Sequence, residues 1–328
     1  MNDLPKRIFI KEEGPREGFQ IESGDIPTAD KIALIDALAK TGLKHIQTVS
    51  FVNPARVPGM ADAEAVVAGI TPVEGVHFTG LWLNNQGFLR ALETKKLHME
   101  GKLTLYASRA FLKRNQNRTL EQQFAAQPEL IKSYQHAGVP VRTGFVTAAF
   151  GCNFQGDVDA AYVVELVGQM RAIARDNGED LDLIGLGDTM AWANPEKIRR
   201  VVGEVRAANP DVAISLHLHD TRGLGLANAY AGLQMGVAHF DAAVAGLGGC
   251  PFARHSGAAG NICTEDLVLM CEEMGIETGV DLEALIDCAL MAEKIVRHPL
   301  PGKVKTGGSL RALREKLALG DATPVVAE

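Results

Sequence analysis

The chain has 328 residues, 46% of them hydrophobic and 22% charged, proportions that exclude a disordered or collagen-like chain and supply a sizeable core. Forty acidic against 33 basic residues leave a formal charge of −7, so the overall field favours neither nucleic acid nor an anionic membrane as partner. Five cysteines without a CxxC pair, and an N-terminus without an apolar run of signal-peptide length, predict a reduced, cytoplasmic protein, and no stretch approaches the ~20 apolar residues of a membrane span.

Short β-type runs alternate with longer helical patterns along the chain. The first run, 7–11, is followed by apolar periodicity over 31–39 and a second run at 45–51. Further strands are predicted at 76–83, 103–107, 139–146, 181–186, 212–217 and 240–244, with helices near 119–137, 158–176, 195–208 and 223–236. This is the βα rhythm of a parallel sheet. These are eight strand candidates, one of which, near 76–107, reads as misread or peripheral; the count favours a (β/α)8 TIM barrel over an open doubly wound sheet. Asn194 followed by Pro195 marks a helix start. Gly14 and Gly18 follow the first strand, Gly187 the sixth, and Gly246, Gly248 and Gly249 the last, and in a barrel those turns share the rim where active sites sit. From about 264 the pattern is helical, with amphipathic segments at 265–274 and 282–296. The predicted division is a TIM-barrel catalytic domain, 1–279, and a C-terminal helical extension and tail, 280–328.

The most specific local signal is His217-Leu218-His219-Asp220. Side chains alternate along a strand, so the two imidazoles point the same way and can share a metal, with Asp220 placed to orient one of them. The blander reading is one buried and one solvated histidine. Arg16 and Glu17 sit between Gly14-Pro15 and Gly18, on a turn where a carboxylate suits metal ligation and a guanidinium suits an oxyanion; an exposed ion-paired loop is the alternative. Cys250 lies in a glycine-rich loop after the last strand, where a thiol can act as acid or base. Asn261 either offers a carbonyl oxygen to a metal or caps the helix that begins near Thr264. Asp188 is a further rim carboxylate, available to substrate or to loop N–H groups. Gly223-Leu224-Gly225 lacks the third glycine of a dinucleotide fingerprint and no phosphate loop is present, which removes support for hydride transfer or ATP use. The basic cluster at 113–118 reads as a solvated face, with contact to a phosphate-bearing substrate as the alternative.

These motifs, in this order, resemble the 3-hydroxy-3-methylglutaryl-CoA lyase family of metal-dependent barrels. The likeness runs from about 6 to 276 and rests on KEEGPREGFQ at 11–20, SFVNPARVPGM at 50–60, LGDT at 186–189, HLHDT at 217–221, GLGGCPFA at 246–253 and GNICTED at 260–266. The resemblance implies a divalent metal, Mg or Mn, held by Glu17, His217, His219 and Asn261. It implies Arg16 on the enolate, Cys250 as acid/base group, and Gln47 and Asp188 as further catalytic candidates. The implied partner is an acyl-CoA, and the implied assembly a homodimer or higher homo-oligomer. The implied reaction cleaves a tertiary 3-hydroxyacyl-CoA to acetyl-CoA and a keto acid. A condensing enzyme of the same superfamily acting on a 2-oxo acid, or a non-catalytic acyl-CoA-binding homologue, are the alternatives.

Four positions depart from the family's pattern. Glu17 stands where aspartate is usual, one methylene longer. Gln47 replaces a glutamate that supports the arginine, which predicts a site one negative charge poorer and Arg16 less firmly oriented. Arg222 replaces a frequent tyrosine, and the stretch 254–259 is about two residues longer; both add basic character near the rim. Together the departures predict an acyl group larger or more anionic than 3-hydroxy-3-methylglutaryl.

Overall fold

The computed structural model describes residues 4–22, 24–248 and 260–319. Eight parallel strands form its main sheet: β1 (Phe9–Glu12), β2 (His45–Ser50), β3 (His77–Leu81), β4 (Gly101–Tyr106), β5 (Val141–Thr147), β6 (Leu183–Asp188), β7 (Ala213–Leu218) and β8 (His239–Ala242). Their order is β3-β2-β1-β8-β7-β6-β5-β4. The sheet curls into a (β/α)8 barrel, and its two end strands, β3 and β4, meet at a seam. Both candidates within 76–107 are therefore full members of the wall, and neither is peripheral. A two-stranded ribbon, Gly151–Cys152 with Gly156–Asp157, lies outside the wall.

Alternation along each strand sorts its residues between two environments. Ile46, Leu103, Leu105, Val146, Ile184, Leu186 and Leu216 are buried in the apolar layer between wall and helices, where each large side chain contributes roughly 1.5–3 kcal/mol. The intervening positions face the lumen. There Phe145 packs where β6 has only glycine: a Cβ at Gly185 would stand 2.4 Å from its ring, and one at Gly187 2.9 Å.

Helices follow the strands: α1 (Thr28–Leu38), α2 (Ala63–Gly69), α3 (Asn85–Glu93), α4 (Leu120–His136), α5 (Ala160–Asp176), α6 (Pro195–Ala208), α7 (Gly225–Gln234) and α8 (Thr264–Glu273). Many start on a side chain that accepts an otherwise orphan N–H. Asn84 accepts from Gly87, Asp159 from Ala161 and Asn194 from Lys197, while Thr119 and Gln122 form a reciprocal capping box. An extra helix, Arg109–Gln116, stands over the β4 end of the barrel.

The seam carries no ladder between β3 and β4. His98 N donates to Phe78 O at 2.7 Å, and higher up side chains replace the missing strand partner. Thr104 N donates to Gln127 Oε1 (3.0 Å) and Gln123 Nε2 donates to Thr104 O (2.8 Å), so α4 satisfies backbone groups that an open edge would leave unmet. Beyond the barrel, α9 (Leu282–Val296) buries Leu282, Leu285 and Ala289 and packs against α1 and the turn at Val244–Gly246. α10 (Leu310–Ala318) leaves Leu313 and Leu317 exposed. None of the described helices is long and apolar enough to cross a membrane.

Candidate metal-dependent active site

Glycine at 14 and 18 and proline at 15 wind the chain after β1 into one π-helical turn, Gly14–Gly18, with Glu17 N donating to Glu13 O at 2.7 Å. Every residue of that turn is buried, which removes the reading of an exposed ion-paired loop. It aims Arg16 and Glu17 into a cavity of about 330 Å³ whose lining includes Gln47, Lys102, Phe145, His217, His219 and Asp241.

β7 brings both histidines to Glu17, as its alternation predicts. His219 Nε2 lies 3.1 Å from Glu17 Oε1 and 3.1 Å from His217 Nε2, and His217 Nε2 lies 3.7 Å from Glu17 Oε2. One donor atom from each of the three falls within 4.8 Å of the others. Asn261 joins them from the segment before α8. Its backbone bridges His219, its Nδ2 donates to Leu247 O at 3.1 Å, and its buried Oδ1 has no hydrogen-bond partner. That orphaned amide oxygen is not spent on capping α8. Gly248 permits the approach: at φ +99° it has left-handed backbone, and a Cβ there would stand 2.6 Å from Asn261 Nδ2 and 2.9 Å from Glu17 Cγ.

Charge around the three donors is arranged to hold a cation. Burial disfavours a charged His217, yet Glu17 and a hydrogen bond from Nδ1 to Asp241 Oδ2 (3.2 Å) raise its pKa to about 10. Burial likewise opposes ionisation of Glu17, but Arg16 and His217 keep its carboxyl well below the usual range. In the protein alone a proton on His217 supplies the positive charge; a divalent ion fits the same anionic shell by displacing that proton. A carboxylate, two imidazoles and an amide oxygen without another partner are a coherent donor set for such an ion.

Asp241 and Glu13 were not singled out by the motifs. Asp241 stands opposite His217 in the β8–β7 register and does the orienting that the sequence assigns to Asp220. Asp220 instead accepts from Gly225 N (2.6 Å) at the start of α7. Glu13 corrects the expectation for Gln47. Arg16 Nε donates to Gln47 Oε1 at 2.5 Å, Nη2 pairs with Glu13, and Nη1 pairs with Glu17 at 2.9 Å. The charge absent from position 47 is supplied by position 13, and Arg16 is held on three sides.

Asp188, at the end of β6, accepts from Trp192 N (2.7 Å) and Ala193 N (3.0 Å), so it takes up the loop N–H groups. Burial raises its pKa to about 6 despite the neighbouring imidazoles. Arg222 is exposed and tied to the loop beyond β6, its Nη1 donating to Met190 O (2.7 Å) and Ala191 O (3.0 Å), neutral acceptors that leave its positive charge in place. In the basic cluster, Asn115, Gln116 and Arg118 line the cavity, so that face is not merely solvated. Cys250 and the stretch 254–259 lie outside the described residues.

The HMGL-like family profile matches residues 7–291. The mitochondrial hydroxymethylglutaryl-CoA lyase of Gallus gallus is 40% identical over 286 residues, 87% of this chain and 92% of that protein. A cytoplasmic 3-hydroxy-3-methylglutaryl-CoA lyase of Mus musculus is 38% identical over 301 residues, 92% of this chain and 84% of the relative. An HMG-CoA lyase from A. baumannii, solved in complex with coenzyme A and 3-methylmalate, superposes with a TM-score of 0.85 at 37% identity and covers 98% of each chain. The chain belongs to the HMGL-like family. Within this HMGL-like barrel, Arg16 is cradled by Glu13, just past the end of β1, by Glu17 and by Gln47 of β2.

Proposed function

We propose that this protein is a divalent-metal-dependent carbon–carbon lyase that cleaves 3-hydroxy-3-methylglutaryl-CoA, or a close tertiary 3-hydroxyacyl-CoA, to acetyl-CoA and a keto acid. Its relatives named as lyases of that substrate support the activity. The observation that carries it is the convergence of Glu17, His217 and His219 beside the three-sided Arg16, with Asn261, its Oδ1 unpartnered, bridged to His219 through the backbone.

Glu17, His217, His219 and Asn261 would hold the metal, and when bound it supplies Lewis-acid polarisation of substrate oxygens. The oxygen and imidazole donors favour Mg or Mn. In the reaction the 3-hydroxyl loses its proton, the C2–C3 bond breaks, C3 becomes a ketone, and the electron pair passes to the thioester enolate. Arg16 has five N–H donors; three meet Gln47, Glu13 and Glu17, and two remain for the enolate oxygen. Asp241 fixes the His217 ring and Asp188 the loop beyond β6, so both act as positioning residues. Cys250 is assigned the return of a proton to the enolate carbon. With Glu13 restoring the cradle's charge, Gln47 no longer argues for a non-catalytic homologue.

The four described cysteines, all free and buried, fit a reducing compartment such as the cytoplasm, and the exposed Leu313 and Leu317 on α10 offer an apolar surface to a homodimer. The deciding experiment incubates purified protein with 3-hydroxy-3-methylglutaryl-CoA and Mg²⁺ or Mn²⁺ and follows acetyl-CoA and acetoacetate. Both form, and a chelator abolishes them. Free thiol released from acetyl-CoA plus a 2-oxo acid, with no cleavage, would establish the condensing reaction instead.

A further inference from the structure

Two lysines face the lumen, and their surroundings differ. Lys11 is neutralised, with Nζ 2.6 Å from Glu13 Oε1 and 3.6 Å from Asp241 Oδ1. Lys102 has no carboxylate within ion-pair distance among the described residues. Its Nζ rests over the face of Phe145, 4.1 Å from the ring centroid, a contact that holds a cation without neutralising it. Phe145 in turn sets its edge against His217, with centroids 6.0 Å apart and planes at 81°. One aromatic ring thus separates the free ammonium from the histidine pair. Burial, helped by the repulsion of Lys11, lowers the Lys102 pKa to about 8, as expected of a lysine awaiting a counter-charge.

The space beside Lys102 extends beyond the main cavity. A second cavity, of about 90 Å³, opens into the seam between β3 and β4 and shares Gln47, Leu81, Lys102 and Thr104 with the first. Lys102 and Thr104 are successive lumen-facing residues of β4, and their side chains form the threshold between the two spaces. An acyl substituent entering the seam meets a cation, a hydroxyl and an amide, while the carboxylate of the seam lining, Glu100, lies against His98 Nε2 at 3.4 Å. This arrangement suits a carboxylate.

We propose that Lys102 forms a carboxylate subsite at the mouth of the seam cavity, so that the preferred substrate is a 3-hydroxyacyl thioester whose 3-substituent ends in a carboxylate. The proposal rests on the lyase reading above and adds the substrate class to it. The reaction is unchanged: the C2–C3 bond breaks and the ketone product carries a second carboxylate. For a 3-carboxymethyl substituent that product is 3-oxoglutarate, where the 3-methyl parent gives acetoacetate.

The test compares the 3-methyl parent, the 3-carboxymethyl ester and an uncharged 3-propyl ester, using wild type, Lys102→Met and Lys102→Arg. The subsite predicts that wild type prefers the 3-carboxymethyl ester over the 3-propyl ester by about tenfold or more in kcat/KM. Lys102→Met abolishes that preference through KM with kcat little changed, and Lys102→Arg retains part of it. If instead Lys102→Met raises KM for the 3-methyl parent as well, leaving the 3-propyl ester with its own carboxylate equally affected, Lys102 serves the carboxylate common to all three, and the substituent assignment is overturned. Equal loss of kcat on every ester, or an intact preference in Lys102→Met, overturns the subsite altogether. Calorimetric titration of the free acids keeps the two readings separable. Wild type binds 3-oxoglutarate about tenfold or more tightly than acetoacetate and Lys102→Met binds them alike, a result readable even if no ester is cleaved, in which case the lyase assignment fails and the anion site stands.

Discussion

Arg16 is buried on three hydrogen-bonding partners, and only one of them, Gln47, is neutral. Moving a negative charge from position 13 to position 47 tests whether its presence or its address matters. Glu13→Gln is expected to lower kcat by roughly tenfold or more, about 1.4 kcal/mol of transition-state stabilisation, and adding Gln47→Glu is expected to restore most of it; steady-state kinetics on the double variant decides. Asp241→Asn removes the nearer anionic partner of His217 Nδ1 and leaves Glu13 Oε2 at 3.4 Å, and a loss of about 10–100-fold in divalent-metal affinity is expected by calorimetry. His217→Ala and His219→Ala remove donors outright and should lose more. The residues that carry this chemistry were legible where a motif repeats a type at a meaningful spacing, as with the two histidines. Asp241 and Glu13 were not, because each acts through register and loop path: Asp241 faces His217 only once β8 is laid beside β7.

At the scale of elements, strong periodicity and capping made the long helices readable. The pattern at 119–137 became Leu120–His136 behind its capping box, and Asn194-Pro195 opens α6 where the sequence places it. α2 and α3, with 7 and 9 residues, are too short to show a full helical period, and they went unnoticed along with Arg109–Gln116. The same region held the strand read as doubtful, since β3 and β4 lack each other as ladder partners and β4 leans on α4 instead. Gln127→Leu removes the acceptor for Thr104 N, and a loss of about 1–3 kcal/mol is expected from leaving that N–H unmet. Urea unfolding measures it, and Gln127→Glu, which keeps an acceptor oxygen, should lose less.

Across the whole molecule, two buried carboxyls tie the end of β1 to the turn before α8. Glu12 accepts from Gly14 N, Val244 N and Thr264 Oγ1, and Glu265 accepts from Ala245 N. Burial raises their pKa values to about 7 and about 8. The unfolded chain releases these protons near the ordinary glutamate value, about 4.5, while the folded protein still holds them. Their contribution to stability is therefore complete at acid pH and declines as pH rises through 7 and 8. Melting temperatures from pH 5 to 8.5 should fall less steeply for Glu265→Gln than for wild type; parallel slopes would show that the Glu265 proton is not linked to folding.

The unpaired seam gives the barrel a lopsided constitution. Backbone ladders run unbroken through β1, β8 and β7, which carry or flank Glu17, His217 and Asp241, whereas Gln47, Lys102 and Thr104 gather around the one break in the wall. Inheritance can then treat the two sides separately, conserving the stiff side and editing the gap, so that a lineage built on this plan broadens its diet without relearning its chemistry.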